Sequence, residues 1–121
     1  MWYRIAQSQN EIQNLVNLFL AKYPGLILRI EEYDNKIRLE KIDVQKEMRN
    51  QGIGTEIITA LKEYSAGVNK PIVLNPESEK GKKGALQRFY ERHDFVDNAG
   101  RKKDFDLSDT FSRTMYYKPK R

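Results

Sequence analysis

Gly52 and Gly54, set in Arg49-Asn50-Gln51-Gly52-Ile53-Gly54, are the residues whose type and spacing point most directly to chemistry. Glycine lets a backbone approach a ligand closely. If a helix begins here, its first amides are unpaired and carry a partial positive charge, and both features favour phosphate. Arg49 could add a charge-assisted contact. A strand, a Gly-x-Gly loop and a helix together would cradle a pyrophosphate. Two rival phosphate motifs fail. A Walker-type loop needs Lys-Ser/Thr after its last glycine, and Gly54 is followed by Thr55-Glu56. A dinucleotide fingerprint needs a third glycine where Ile57 stands. The plain alternative for Gly-x-Gly is a tight turn between strand and helix.

Other chemistries are closed off. There is no cysteine, which excludes disulfides, thiolate metal sites and a cysteine nucleophile. His93 is the only histidine and has no evident partner, so it reads as structural and no metal is expected. With 121 residues, 39% hydrophobic and 32% charged, residues 1–121 read as one soluble domain. No apolar run approaches the roughly 20 residues that span a bilayer, and the N-terminus lacks the apolar stretch of a signal peptide. A cytoplasmic location and no membrane partner are therefore expected. The net charge is +5, with basic residues gathered at Lys80, Lys82, Lys83, Arg88, Arg92, Arg101, Lys102 and Lys103 and in the tail. Such a surface suits a polyanion, either nucleic acid or a phosphate-rich small molecule, or is simply solvated.

The elements that must position these residues follow from periodicity. Trp2 to Ala6 reads as a short first strand. Ser8-Gln9-Asn10-Glu11 has the capping-box pattern, and Ile12, Leu15, Val16, Phe19 and Leu20 recur at helical spacing until Pro24-Gly25. Leu26, Leu28 and Ile30 alternate as in a strand. After the turn Tyr33-Asp34-Asn35-Lys36 a second strand starts at Ile37. Its apolar phase then slips, with Ile37 and Leu39 at odd positions and Ile42 and Val44 at even ones. One extra residue near Glu40-Lys41 restores a common face, which predicts a β-bulge. The alternative is a strand buried on both faces. Ile53, Ile57, Ile58 and Leu61 mark a helix expected to end near Gly67. Pro71 to Leu74 reads as a short strand, and Leu86, Phe89 and Tyr90 carry a helix ending before Phe95. Residues 96 to 110 read as strand plus polar loop, and Phe111 to Tyr117 as a final strand. The order β-α-β-β-α-β-α-β-β is that of an α+β or mixed-sheet domain.

With these elements placed, Arg49 to Gly54 resembles the Arg/Gln-x-x-Gly-x-Gly/Ala motif of the GNAT acetyltransferase superfamily. Two further features agree. The family places a bulged strand before this loop, and its later helix ends like Tyr-Glu-Lys-Leu-Gly-Phe, matched here by Tyr90-Glu91-Arg92-His93-Asp94-Phe95. The likeness covers about residues 36 to 96, with the remainder in element order. Departures are Asp94 for the usual glycine, and Lys83 and Leu86 where an Asn and an Ala are frequent.

The resemblance implies an α+β fold of GNAT type: a mixed, mostly antiparallel sheet flanked by helices, with the bulged strand before the cofactor loop. It implies an N-acetyltransferase moving an acetyl group from acetyl-CoA, a cosubstrate, to a primary amine in one ternary complex. Ile42, Asp43 and Val44 are then expected to pair with pantetheine amides, and Arg49, Asn50, Gln51, Gly52, Ile53, Gly54 and Thr55 to hold the pyrophosphate. Asn75 could bond the cofactor or cap a turn. The acceptor ammonium must lose a proton before it attacks. Glu40 beside the bulge is the first candidate base and Asp43 the second, with an ordered water as a third route. Each carboxylate could equally be an ordinary strand charge facing solvent. Tyr90 is implied as the donor to the departing thiolate, its alternative being a core aromatic. Asp104, Asp106 and Asp109 would meet a cationic acceptor, a small molecule or a protein amine. Many relatives pair as dimers, so a homodimer is among the expectations. The alternatives are a GNAT-like module that holds acyl-CoA without turnover, or a basic nucleic-acid-binding protein, which ranks last.

Overall fold

The computed structural model describes residues 2–76, 83–98 and 114–119. Its elements are α1 (Trp2–Lys22), β1 (Ile27–Glu32), β2 (Ile37–Asp43), a 3-10 turn (Lys46–Met48), α2 (Ile53–Val68), β3 (Ile72–Leu74), α3 (Lys83–Arg92), β4 (Val96–Asn98) and β5 (Thr114–Tyr117). The five strands form one sheet in the order β1-β2-β3-β5-β4. Only β2 and β3 run parallel, joined through α2; the other neighbours are antiparallel. This is the expected mixed, mostly antiparallel sheet with helices. Among the described residues no helix is long and apolar enough to cross a membrane.

The start of the chain corrects the expectation. Trp2–Ala6 is not a strand but the first turns of α1, and Ser8 lies inside that helix instead of capping it. A five-residue segment has too little length to declare a period. No proline or glycine stands between Trp2 and Lys22, so nothing halts the helix on that side. Ile12, Val16 and Phe19 form its buried stripe against β1.

The bulge lies where the change of apolar phase puts it. Arg29 faces Lys41 while Ile30 faces Leu39, so Glu40 is the additional residue on β2. Ile37 and Leu39 are buried, Glu40 and Lys41 are exposed, and Ile42 returns to half-burial, so β2 is not buried on both faces.

α2 buries Ile53, Ile57, Ile58, Leu61 and Ser65 along one stripe. It ends at Val68, next to the expected Gly67, and its C-cap is Asn69, whose φ of +56° is left-handed. Asparagine tolerates this conformation better than most side chains. The turn is fixed by the Lys70 amide on the Ser65 carbonyl at 3.1 Å and by the Ser65 hydroxyl donating to the Lys70 carbonyl. That closure feeds the chain into β3. Ile37, Ile57, Ile58, Leu61, Ile72 and Met115 are fully buried at the centre of the core.

Candidate active site

The site grows from the point where β2 and β3 part. Their pairing runs only from Ile37↔Ile72 to Leu39↔Leu74, while β2 continues through the bulge to Asp43. Beyond Glu40, no described strand lies on the β3 side of β2. A bulge also bends its strand and disrupts the ladder locally. Ile42, Asp43 and Val44 therefore border a cleft of about 600 Å³ instead of another strand.

The loop at the end of β2 makes the second boundary. Asn50 and Gly52 both have positive φ, +64° and +79°, and together they turn the chain into α2. The Glu56 amide is the first to close a helical bond, to the Gly52 carbonyl at 2.9 Å. The amides of Ile53, Gly54 and Thr55 precede it and have no intrahelical acceptor. Among the described residues no side chain caps them. These donors, at the positive end of a 16-residue helix, are suited to an anion. Arg49 does not extend towards them. Its Nε donates to the Val44 carbonyl at 2.9 Å, and Nη2 lies 3.4 Å from Asp43 Oδ1. It therefore staples the loop back onto β2.

α3 supplies the opposite wall through Ala85, Leu86, Phe89, Tyr90, Arg92 and His93. A Cβ at Gly54 would stand 3.1 Å from Phe89 Cζ, so glycine there permits the close approach of α2 to α3. The Tyr90 ring packs edge-on against Phe89 and Phe95, at 5.2 and 5.6 Å between centroids. Its hydroxyl has no partner among the described residues. Burial pushes the phenol up to about 12, so it stays protonated through neutral pH. His93 packs edge-on against Phe89, with 4.8 Å between ring centroids, and its Nε2 is 3.4 Å from Thr55 Oγ1. Burial first, then the charges of Lys62 and Arg92, lower its pKa, leaving the ring neutral at pH 7.

The end of α3 tolerates its aspartate. Asp94 has φ +71°, and the Phe95 amide reaches the Tyr90 carbonyl at 3.1 Å while the Asp94 amide reaches Glu91 at 3.1 Å. This is a Schellman closure with a non-glycine residue at its left-handed position. It sets Tyr90 and Phe95 against each other. Asp94→Gly should stabilise the fold by about 0.5–1 kcal/mol in urea unfolding, since the exposed Lys62–Asp94 bridge at 2.9 Å offsets little of the relief.

Of the residues expected from sequence, Tyr90, Ile42, Asp43, Val44, Arg49, Asn50, Gly52, Ile53, Gly54 and Thr55 line this one cleft. Glu40 sits exposed on the bulge and Gln51 is exposed with its amide 3.4 Å from the Glu47 carbonyl; neither is among the lining residues. Asn75, half-buried after β3, is also outside the lining. Asp104, Asp106 and Asp109 lie outside the described residues. Sequence reasoning did not assign Met48, Ala85, Leu86, Phe89, Arg92 or His93 to the site. For all of these but Met48 the signal was present in and just after α3, where 85, 86, 89, 90, 92 and 93 recur at helical spacing.

Comparison with known proteins bears on the fold and the family. The profile of the acetyltransferase (GNAT) domain matches residues 14–97. Among solved structures, a GNAT-family acetyltransferase from Staphylococcus aureus Mu50 is similar at TM-score 0.60 and 22% identity, over 78% of this chain and 60% of that one. Ard1 from Thermoplasma volcanium is similar at TM-score 0.57 and 18% identity, over 90% and 80%. The anti-CRISPR protein AcrVA5 is similar at TM-score 0.58 and 23% identity, over 77% and 90%. No curated protein sequence matches. At these identities the solved structures establish the fold, and the domain profile, covering more than half of the chain, establishes the kinship. The chain belongs to the GNAT acetyltransferase family, whose chemistry is acetyl transfer.

Proposed function

We propose that the cleft binds acetyl-CoA and that the protein passes its acetyl group directly to a primary amine. One observation carries this reading. The cleft joins the open edge of β2 at Ile42–Val44 to the uncapped amides of Ile53, Gly54 and Thr55, with Tyr90 on the facing wall. The residues fit such a ligand. A β-strand edge can pair with the amides of an extended pantetheine, uncapped helix amides suit a pyrophosphate, and glycine at 52 keeps a side chain away from those amides while glycine at 54 makes room for Phe89. Acetyl-CoA, when bound, supplies an activated thioester carbonyl.

This chain's residues then have distinct tasks. The backbone of Ile42, Asp43 and Val44 orients the ligand arm. The α2 amides hold its phosphates, and Arg49 keeps the two segments in register through its bonds to Val44 and Asp43. Asp43 lines the cleft and Glu40 does not, so Asp43, directly or through water, is the better placed of the two carboxylates to accept the ammonium proton. Tyr90 donates to the sulfur as negative charge gathers there. A thiol of ordinary pKa, about 8.5, is a stronger acid than a phenol at about 12, so hydrogen bonding rather than full proton transfer is the favourable contribution.

Calorimetric titration with acetyl-CoA, followed by an amine panel monitored for free thiol, tests the proposal. Gly52→Val places a branched side chain at φ +79° beside the free amides. It should weaken acetyl-CoA binding at least about tenfold and cost about 1–2 kcal/mol of stability, with helical content retained. A folded variant that binds as well as wild type would remove the cradle from the mechanism. Binding without thiol release from any amine would replace the enzyme by a binding module.

A further inference from the structure

α2 opens with an acidic residue beside the amides that suit an anion. Glu56 stands in its first turn, directly after Thr55. A carboxylate there agrees with the helix dipole but opposes a bound phosphate, since helical side chains lean back towards the N-terminus and like charges repel over several ångströms. The first turn, however, sends its side chains in different directions. Gly54 and Thr55 meet Phe89 and His93 of the α3 wall. Glu56 turns to the end of α1 and is not among the residues that line the cleft.

Two residues hold it there. Lys22 Nζ donates to one carboxylate oxygen at 2.6 Å, and the Tyr23 hydroxyl donates to the other. Lys22 Nζ also lies 5.3 Å from the centre of the Tyr23 ring. The Tyr23 and Leu26 amides, bonded to the Phe19 and Tyr23 carbonyls at 2.9 and 3.1 Å, fix the chain end from which both side chains reach. The hydrogen bond from Lys22, then that from Tyr23, holds the Glu56 carboxyl below its ordinary range, and the same bond to Glu56 raises Lys22. Both charges are present through neutral pH, and at a distance they cancel. Lys22 and Glu56 are 53% and 38% exposed, so the bridge adds little to stability. Its consequence lies in the field at the start of α2.

We infer that Lys22 and Tyr23 are positioning residues for the ligand: by neutralising Glu56 and turning it towards α1, they keep its charge from opposing a pyrophosphate at the α2 amides. This rests on the acetyl-CoA reading of the cleft.

Calorimetric titration with acetyl-CoA at low ionic strength tests it. Lys22→Met removes the countercharge and should weaken binding about threefold, and adding Tyr23→Phe, which frees the carboxylate, should bring the loss to about tenfold. At about 1 M salt, where the screening length is about 3 Å, the loss should shrink to within about twofold. Glu56→Gln added to both changes should restore binding to within about twofold of wild type, because the released charge is gone. A bridge that merely braced α1 against α2 predicts the reverse, since this triple variant lacks it entirely. Circular dichroism and thermal unfolding should hardly change in any of the three. A Lys22→Met protein that binds acetyl-CoA as wild type does would overturn the inference. So would a loss that persists at high salt, or a triple variant that fails to recover. A wild type that binds no acetyl-CoA would remove the reading of the cleft and this inference with it.

Discussion

Replacing Tyr90 by Phe should lower kcat about 10- to 1000-fold while leaving acetyl-CoA affinity nearly unchanged. The hydroxyl is the only atom removed. The ring keeps its edge-on contacts with Phe89 and Phe95, so the folded structure should be preserved. Tyr90 lines the cleft, and its hydroxyl has no hydrogen-bond partner among the described residues. Measurement under conditions where chemistry limits the rate is essential, because slow product release would mask the loss. Normal turnover in the folded variant would return Tyr90 to the core. The pH dependence gives an independent signature. Burial raises the folded-state phenol from about 10 to about 12, so the associated stability is intact below pH 10 and is lost as pH rises towards 12. The Phe variant should lack this share of the alkaline loss.

Lys70→Met should destabilise the protein by about 3–5 kcal/mol, the largest stability effect expected of any single change here. Glu32 is only 2% exposed, and its carboxylate accepts from Lys70 Nζ at 2.6 Å and from the Tyr64 hydroxyl. Removing the ammonium leaves a buried carboxylate with a neutral donor alone. Burial, then the hydrogen bond to Glu32, raises the Tyr64 pKa, consistent with a phenol held as that donor. Glu32→Gln added to Lys70→Met removes the stranded charge and should recover most of the loss. The cluster joins the end of β1 to the end of α2, at the opposite end of β2 from the cleft, so acetyl-CoA binding per folded molecule should be unchanged. Urea unfolding reads the first effect and calorimetry the second. A loss below about 1 kcal/mol would show that the pair is solvated and worth no more than a surface bridge.

Much of the site was legible because its signals are local. Glycine at 52 and 54 before an amphipathic run encodes an uncapped helix start in a few residues. The slip from odd to even apolar positions across Glu40 reports a bulge because strand side chains alternate strictly. Tyr90 followed from its neighbours at the end of α3. The first strand was misread because Trp2–Ala6 is too short to carry a period, whereas α2 ends at Val68, near the expected Gly67, with Asn69 taking the left-handed turn. The first is a competition between near-equal local states that the surrounding chain decides.

Local sequence thus determined the uncapped start of α2, the bulge and, from β1 onward, the order of elements, since each depends on backbone preference or periodicity within a few residues. The tertiary structure alone decided that β3 stops pairing at Leu39 and opens the cleft, that α3 rather than the Asn75 segment forms its second wall, and that Arg49 folds back onto Val44 and Asp43. It also joined Glu32 to Lys70, 38 residues apart, and left β1 at a sheet edge. Such contacts arise between segments distant in the chain, where burial and charge pairing act only once the sheet has brought them together.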